Sequence, residues 1–312
     1  MKRTTVPLAG LWVLLALVVV ASLMVGPSPT TRTVLLHLRL PRVLLGALVG
    51  MALAVAGTLY QGLLRNPLAD PYFLGTSSGA SVGVVLAAAL HFANPLWLYG
   101  FAFFFSILSI LVVYRIAETQ GRVPIQTLIL AGIVVSTFIN ALVFLIFSLF
   151  YRQSFMTLFF LLGTLTEADP LLLKISGVLI PVTVLAAWYY ARDLNVLAQG
   201  EESAQHLGID PEHTKRVLFL LASVLVGASV AVSGMIGFIG LMVPHILRLL
   251  VGPDHRSLIP GAALGGALLL ILMDTVARTA ASPIEIPVGV VAALAGTPFF
   301  IYLLKRKKGE IF

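Results

Sequence analysis

Long apolar runs are the feature that most constrains the fold of this 312-residue chain. Helices of about twenty residues can cross a hydrocarbon layer roughly 30 Å thick. Runs of this length occupy 8–26, 43–64, 95–117, 125–150, 172–191, 215–234, 257–281 and 288–304, with shorter apolar segments at 76–91 and 238–251. We therefore predict an all-α polytopic membrane protein of about ten transmembrane helices, forming one integral membrane domain over 1–312.

The composition points to a bilayer, not water, as the solvent for most of the surface. Apolar residues make up 59% of the chain and charged residues 11%, against roughly 45–50% and about 25% in soluble domains. The net charge is +7, and the Lys and Arg residues are confined to short connections and the tail Lys305–Gly309. We therefore predict no nucleic-acid partner. The absence of Cys excludes disulfides and thiolate chemistry.

The distribution of Lys and Arg predicts the orientation in the plasma (inner) membrane. The N-terminal run Leu8–Val25 is longer than the apolar core of a signal peptide, so we predict that it is retained as the first helix. With the N-terminus inside, 14 of the 20 Lys and Arg residues fall on the inner side. Because basic residues accumulate on the cytoplasmic side, both termini are predicted to be cytoplasmic. The outer residues are Arg32, Arg39, Arg42, Arg152, Lys174 and Arg278, three of them in a predicted loop over Arg32–Arg42.

Small residues at four-residue spacing predict close helix packing. They form ridges on three of the predicted spans: Gly46, Gly50, Ala54, Thr58 and Gly62; Gly261, Ala262, Gly265 and Gly266; Gly289, Ala293 and Thr297. A faint similarity between 50–71 and 227–255 suggests a weak inverted repeat, an architecture common in transporters. Phe155–Gly163 is too short to span and is predicted to be a partly embedded outer helix.

The polar features inside or beside the spans are few. Asp274 and Arg278 stand one helical turn apart, which favours an ion pair, although an intramembrane acid can also mark a proton relay. The inner segment 194–216 predicts a short helix from Gly200, with Ala204 and Leu207 on one apolar face, closed by Gly208, and then a helix capped by Asp210. It is either a docking element or a simple connector. No catalytic motif, nucleotide-binding loop or metal-ligand spacing occurs, so no catalytic residue, metal site or cofactor is predicted.

Four stretches carry a resemblance to a known family: the segment from Leu38 to Ser81, "LAQGEESAQHLGI", the segment from Gly237 to Arg278, and "IEIPVGVVAALAGTPFF". They resemble permease subunits of binding-protein-dependent ABC importers for iron–siderophore, haem and vitamin B12. The resemblance covers nearly the whole chain from Arg39 onward. It implies a homodimer that works with two cytoplasmic ATP-binding subunits and a periplasmic or lipid-anchored substrate-binding protein.

The resemblance also implies roles for particular residues. Those expected to dock the binding protein are Arg39, Arg42 and Arg278. The coupling helices, at about 200–212, rest on the ATPase in this family and match Gly200, Glu201, Glu202, Ala204, Leu207 and Gly208. The gate positions match Asn66, Leu68, Ile125 and Gln126; the last two replace a Ser/Thr pair of the vitamin B12 permease, which leaves that gate's chemistry open.

The expected function is movement of a metal chelate across the membrane, driven by ATP hydrolysis in a separate chain, so the permease itself is not an enzyme. A proton-coupled secondary transporter that uses Asp274 is the alternative, and it would need no ATPase. The sequence does not discriminate among the chelates.

Overall fold

The computed structural model describes residues 2–26, 29–92, 94–121, 123–150, 162–166 and 169–307. A π turn, Leu35–Arg39, leads into the helix Leu40–Leu63, and a 3-10 turn, Pro71–Leu74, precedes the helix Thr76–Ala89. The helices run in the order α1 (Lys2–Met24), α2 (Arg32–Val34), α3 (Leu40–Leu63), α4 (Thr76–Ala89), α5 (Pro95–Ala117), α6 (Ile125–Leu149), α7 (Pro170–Tyr189), α8 (Ala191–Gln199), α9 (Glu201–His206), α10 (Pro211–Ser233), α11 (Ile239–Val251), α12 (His255–Thr279) and α13 (Val288–Lys307).

The predicted all-α membrane fold is confirmed. Within the described ranges, seven helical segments are long and apolar enough to cross a membrane, and α4, α11 and α13 are shorter apolar helices. These ten segments correspond to the ten predicted ones, with ends displaced by a few residues. The predicted outer helix at Phe155–Gly163 lies almost entirely outside the described residues.

The prediction of a loop over Arg32–Arg42 was wrong. This stretch is helical, because α2 and the π turn continue directly into α3. The side chain of Thr31 accepts a hydrogen bond from the Val34 amide and so caps the start of the segment. No Gly or Pro interrupts residues 32–40, and Pro41, which has no backbone N–H to donate, comes two residues after the end of the π turn.

Polar caps define where several helices begin. Asn94, Asp169 and Asp210 each accept a backbone hydrogen bond from the first turn that follows, and each is followed directly by Pro. Asp254 caps α12 in the same way through the Arg256 amide. These caps satisfy N–H groups that have no partner inside the helix, and the cap predicted at Asp210 is confirmed.

Helix α3 lies at the centre of the bundle and packs against α7, α8, α10, α11 and α12. Its backbone touches two neighbours through glycine pairs, Gly50 with Gly266 of α12 and Gly57 with Gly240 of α11. A Cβ atom at Gly50 or Gly57 would overlap the opposing carbonyl group, so no larger residue fits without separating the helices. The predicted close packing of the small-residue ridges on α3 and α12 is therefore confirmed.

Candidate functional site

The N-terminal end of α3 carries a buried ion-pair network. Both Nε and Nη2 of Arg42 lie within 3.1 Å of the Asp274 carboxylate on α12. The remaining terminal nitrogen, Nη1, donates to Glu285, 2.8 Å away in the α12–α13 connection. The Arg42 side chain is 12% exposed, that of Asp274 3%, and that of Glu285 36%. Glu285 is therefore the member of this network that is most open to solvent.

The other two arginines predicted to dock a binding protein are buried in this chain. Arg39 donates to the Leu23 carbonyl at 2.8 Å and to Thr30 Oγ1 at 2.9 Å. Arg278 donates to the carbonyl and hydroxyl of Ser22 and lies 3.7 Å from Asp274. The structure thus brings all three arginines to one end of the bundle, where Arg39 and Arg278 hold the C-terminal part of α1.

Sequence reasoning found only part of this network. The four-residue spacing of Asp274 and Arg278 predicts their ion pair, which is present, but the closer partner of Asp274 is Arg42, 232 positions away. Glu285 was missed because it lies outside any span and follows no charge pattern. The only local signal for Glu285 in the sequence is its position between Pro283 and Pro287, a few residues after the end of α12.

The opposite end of the bundle carries the predicted coupling segment. With 24 residues, α3 separates the two ends by about 36 Å. Helix α9 lies between Gly200, with φ +141°, and Gly208, with φ +78°. Ala204 is fully buried, whereas Leu207, just beyond the helix, is 67% exposed. The expectation that Ala204 and Leu207 share one apolar face was wrong, because α9 ends before Leu207.

A second group of charges ties α9 to its neighbours. Lys215 of α10 is 5% exposed, and its Nζ lies 2.8 Å from Glu201 Oε1 and 2.7 Å from Glu212 Oε1. Arg65 approaches the same Glu201 oxygen at 3.9 Å. Glu202, the neighbouring acid, is exposed on the outside of α9. Glu201 therefore faces the chain's own basic residues, and Glu202 and Leu207 face outward.

The predicted gate residues Asn66 and Leu68 lie in the turn that follows α3. The Asn66 side chain accepts a hydrogen bond from the Leu68 amide at 2.9 Å, and both residues are exposed. Arg65, directly before them, has φ +48°. At the end of the turn, burial raises the pKa of the Asp70 carboxyl to about 6, against the opposing effect of a hydrogen bond from the Tyr72 amide. The turn is thus held by side-chain capping at both ends.

The other predicted gate residues, Ile125 and Gln126, begin α6. Ile125 packs partly against the core, and Gln126 is exposed. At 100° per residue, Gln126 shares one helix face with Ile133, Thr137, Asn140 and Phe144, all of them exposed. Two polar side chains in the middle of a long apolar helix therefore lie on the surface of the isolated chain, in line with a predicted gate residue.

The matches to known proteins extend over both ends of this bundle. The model of the FecCD transport family matches residues 7–306. The cobalamin import permease of Halobacterium salinarum is 42% identical, covering 95% of this chain and 80% of that protein, and the hemin transport permease of Yersinia pestis is 42% identical, covering 88% and 84%. A metal-chelate type ABC transporter solved in an inward-facing conformation superimposes with a TM-score of 0.89 at 31% identity, covering 97% of this chain and 99% of that one.

The fold and its two charged ends define a multi-span membrane transport permease. The chain belongs to the FecCD transport family. This family consists of permeases of ABC importers, in which a separate subunit hydrolyses ATP, so the predicted family and the predicted division of labour are confirmed.

Proposed function

We propose that this chain is the transmembrane subunit of an ABC importer that moves a metal chelate inward, with both termini in the cytoplasm. The observation that carries the proposal is the match, over 95% and 88% of this chain, to permeases whose names specify cobalamin and hemin. The proposed partners are a second copy of the chain, two ATP-binding subunits at the α9 end and a substrate-binding protein at the Arg42 end. The chain passes the chelate and carries out no covalent chemistry.

The face of α6 that bears Thr137 and Asn140 supports a pathway between two copies. Leaving an amide without a hydrogen-bonding partner in a hydrocarbon medium costs roughly 2–7 kcal/mol. Asn140 is exposed in the isolated chain. In the assembly, a second protomer or a water-filled path would supply hydrogen-bonding partners for its amide, which lipid would not. Gln126 on the same face would place the second gate along that path.

The alternative of proton coupling through Asp274 receives no support from the geometry. Asp274 accepts two hydrogen bonds from Arg42 and lies beside Arg278 as well. The Asp274 side chain is 3% exposed and Arg42 occupies both of its oxygens, whereas a relay carboxylate needs an oxygen that is open to a proton donor. Structural pairing is therefore the role that we propose for Asp274.

The docking proposal depends on Arg42 more than on Arg39 or Arg278, because its guanidinium group pairs with a carboxylate that solvent reaches, that of Glu285, whose side chain is 36% exposed. We propose that a carboxylate of the binding protein replaces Glu285 at Nη1 of Arg42, while Asp274 keeps the rest of the guanidinium group in place. Charges at the rim of an interface mainly set the association rate and register. The buried Arg39 and Arg278 would support this surface from below by fixing α1.

Binding of the cognate binding protein to the purified permease tests this surface. Arg42→Gln should weaken the affinity on the order of tenfold, whereas Glu285→Gln, which removes the internal competitor, should strengthen it. Lys174→Gln is the matched control, because it removes one exposed charge from the same predicted side. An unchanged affinity in Arg42→Gln would contradict docking there, and equal losses in Arg42→Gln and Glu285→Gln would contradict the exchange.

A further inference from the structure

The link between α9 and the gate turn is formed by the charged cluster at the inner end of the bundle. Glycines on both sides of α9, each in a conformation that other residues rarely adopt, leave this six-residue helix weakly tied to the chain through its backbone. Side-chain contacts must therefore carry any movement of α9 into the membrane helices. The buried Ala204 makes one such contact, and Glu201 makes another.

Glu201 joins three elements through a single oxygen atom. Oε1 lies 2.8 Å from Lys215 Nζ, near the start of α10, and 3.9 Å from Arg65 Nη2, just beyond the end of α3. Arg65 precedes the gate residue Asn66, and the Asn66 amide is itself bonded to the Gln61 carbonyl in the last turn of α3. A displacement of α9 thus reaches the gate turn through one ionic contact and one peptide unit.

Lys215 is the anchor of this cluster. Its side chain is 5% exposed and its ammonium group touches two carboxylates. A buried cation with strong partners is expensive to separate from them, because the charge left behind is desolvated. The Lys215–Glu201 contact is therefore the stronger side of the bridge, and the pair of Glu201 with Arg65, both 39% exposed, depends on it for its position.

We infer that Lys215 is a positioning residue for transport: through Glu201 it clamps α9 to α10 and to the Arg65–Leu68 turn, so that ATPase movement reaches the gate. This inference rests on the proposed contact between α9 and the ATPase. It adds a specific mechanical path, in which α9, the base of α10 and the end of α3 move as one unit. Without the clamp, α9 would follow the ATPase while the gate turn stayed in place.

The test uses the complete complex in proteoliposomes and measures chelate uptake per ATP hydrolysed. Lys215→Gln should lower this ratio about tenfold, within the range typical of coupling between sites, while the ATPase stays bound on purification. Lys215→Arg should restore most of the ratio. Glu212→Gln is the matched control: it removes a partner of Lys215 on the same helix and leaves the bridge to Glu201, so any loss should appear in the stability of the permease and not in the ratio.

An unchanged ratio in Lys215→Gln would overturn the inference, as would an equal loss in Glu212→Gln, which would show that only the burial of the cation matters. If Lys215→Gln does not fold, Arg65→Gln serves instead, because Arg65 is 39% exposed, and it should also lower the ratio. Leu207→Asp distinguishes a failure of the Lys215 clamp from a failure of the proposed contact between α9 and the ATPase. Retention of the ATPase in that variant would contradict the proposed contact surface, whatever the result for Lys215.

Discussion

At the scale of single residues, the molecule places its charges at the ends of the bundle and satisfies them internally. Arg42 uses three of its nitrogens on Asp274 and Glu285, and Lys215 is shared by Glu201 and Glu212. A lone charge at the centre of a membrane helix costs about 2.5–3.5 kcal/mol on insertion scales. Pairing therefore lets these charges remain next to apolar helices at low cost.

The stability of the outer network follows from its burial. Asp274→Asn would leave Arg42 and Arg278 without their shared acid, and breaking a buried pair in this way costs about 3–5 kcal/mol. Thermal unfolding of the purified permease should show a clear loss. Arg115→Gln is the control, because Arg115 is 83% exposed and its pair with Glu118 is 3.7 Å long, so a change below about 1 kcal/mol is expected. Equal stability of the two variants would show that the Asp274 network is not a structural unit.

At the scale of elements, α3 organises the fold because its glycines allow two neighbours to approach its backbone. The four-residue spacing of small residues predicts this packing from the sequence alone, and Asp–Pro or Asn–Pro pairs locate several helix starts. The pairing of Arg42 with Asp274 is not predictable in the same way, because it depends on which helices become neighbours after folding. The faces of Ala204 and Leu207 were misjudged because one residue more or less in a short helix changes a side chain's direction.

Two glycines provide a matched test of the role of α3. Gly57→Ala would push the new Cβ atom into the Gly240 backbone, and overpacking of this kind costs about 1–3 kcal/mol. Gly177→Ala in α7 meets nothing within 4 Å, and Ala is the better helix former by about 1 kcal/mol. Thermal unfolding should therefore show a loss for Gly57→Ala and no loss for Gly177→Ala. A Gly57→Ala variant as stable as the parent would contradict the close contact between α3 and α11.

At the scale of the whole molecule, the bundle connects the end proposed to dock the binding protein with the end proposed to contact the ATPase, about 36 Å apart along α3. The first of these ends presents Glu285 and Arg42, and the second presents Leu207, Glu202 and the turn over residues 65–68. The sequence predicts the ten segments and the positions of both ends, since these depend on local apolar length and charge. The selectivity for one chelate is not readable from the chain, because relatives at equal identity are named for cobalamin and for hemin.

Uptake of a labelled chelate into proteoliposomes tests the central claim most directly. The vesicles would contain this permease, its ATP-binding subunit and the cognate binding protein, with a ferric siderophore, haem and cobalamin tried in turn. We predict that uptake of one chelate requires ATP, the ATP-binding subunit and the binding protein together. Uptake by the permease alone, driven by a pH gradient without ATP, would contradict the account.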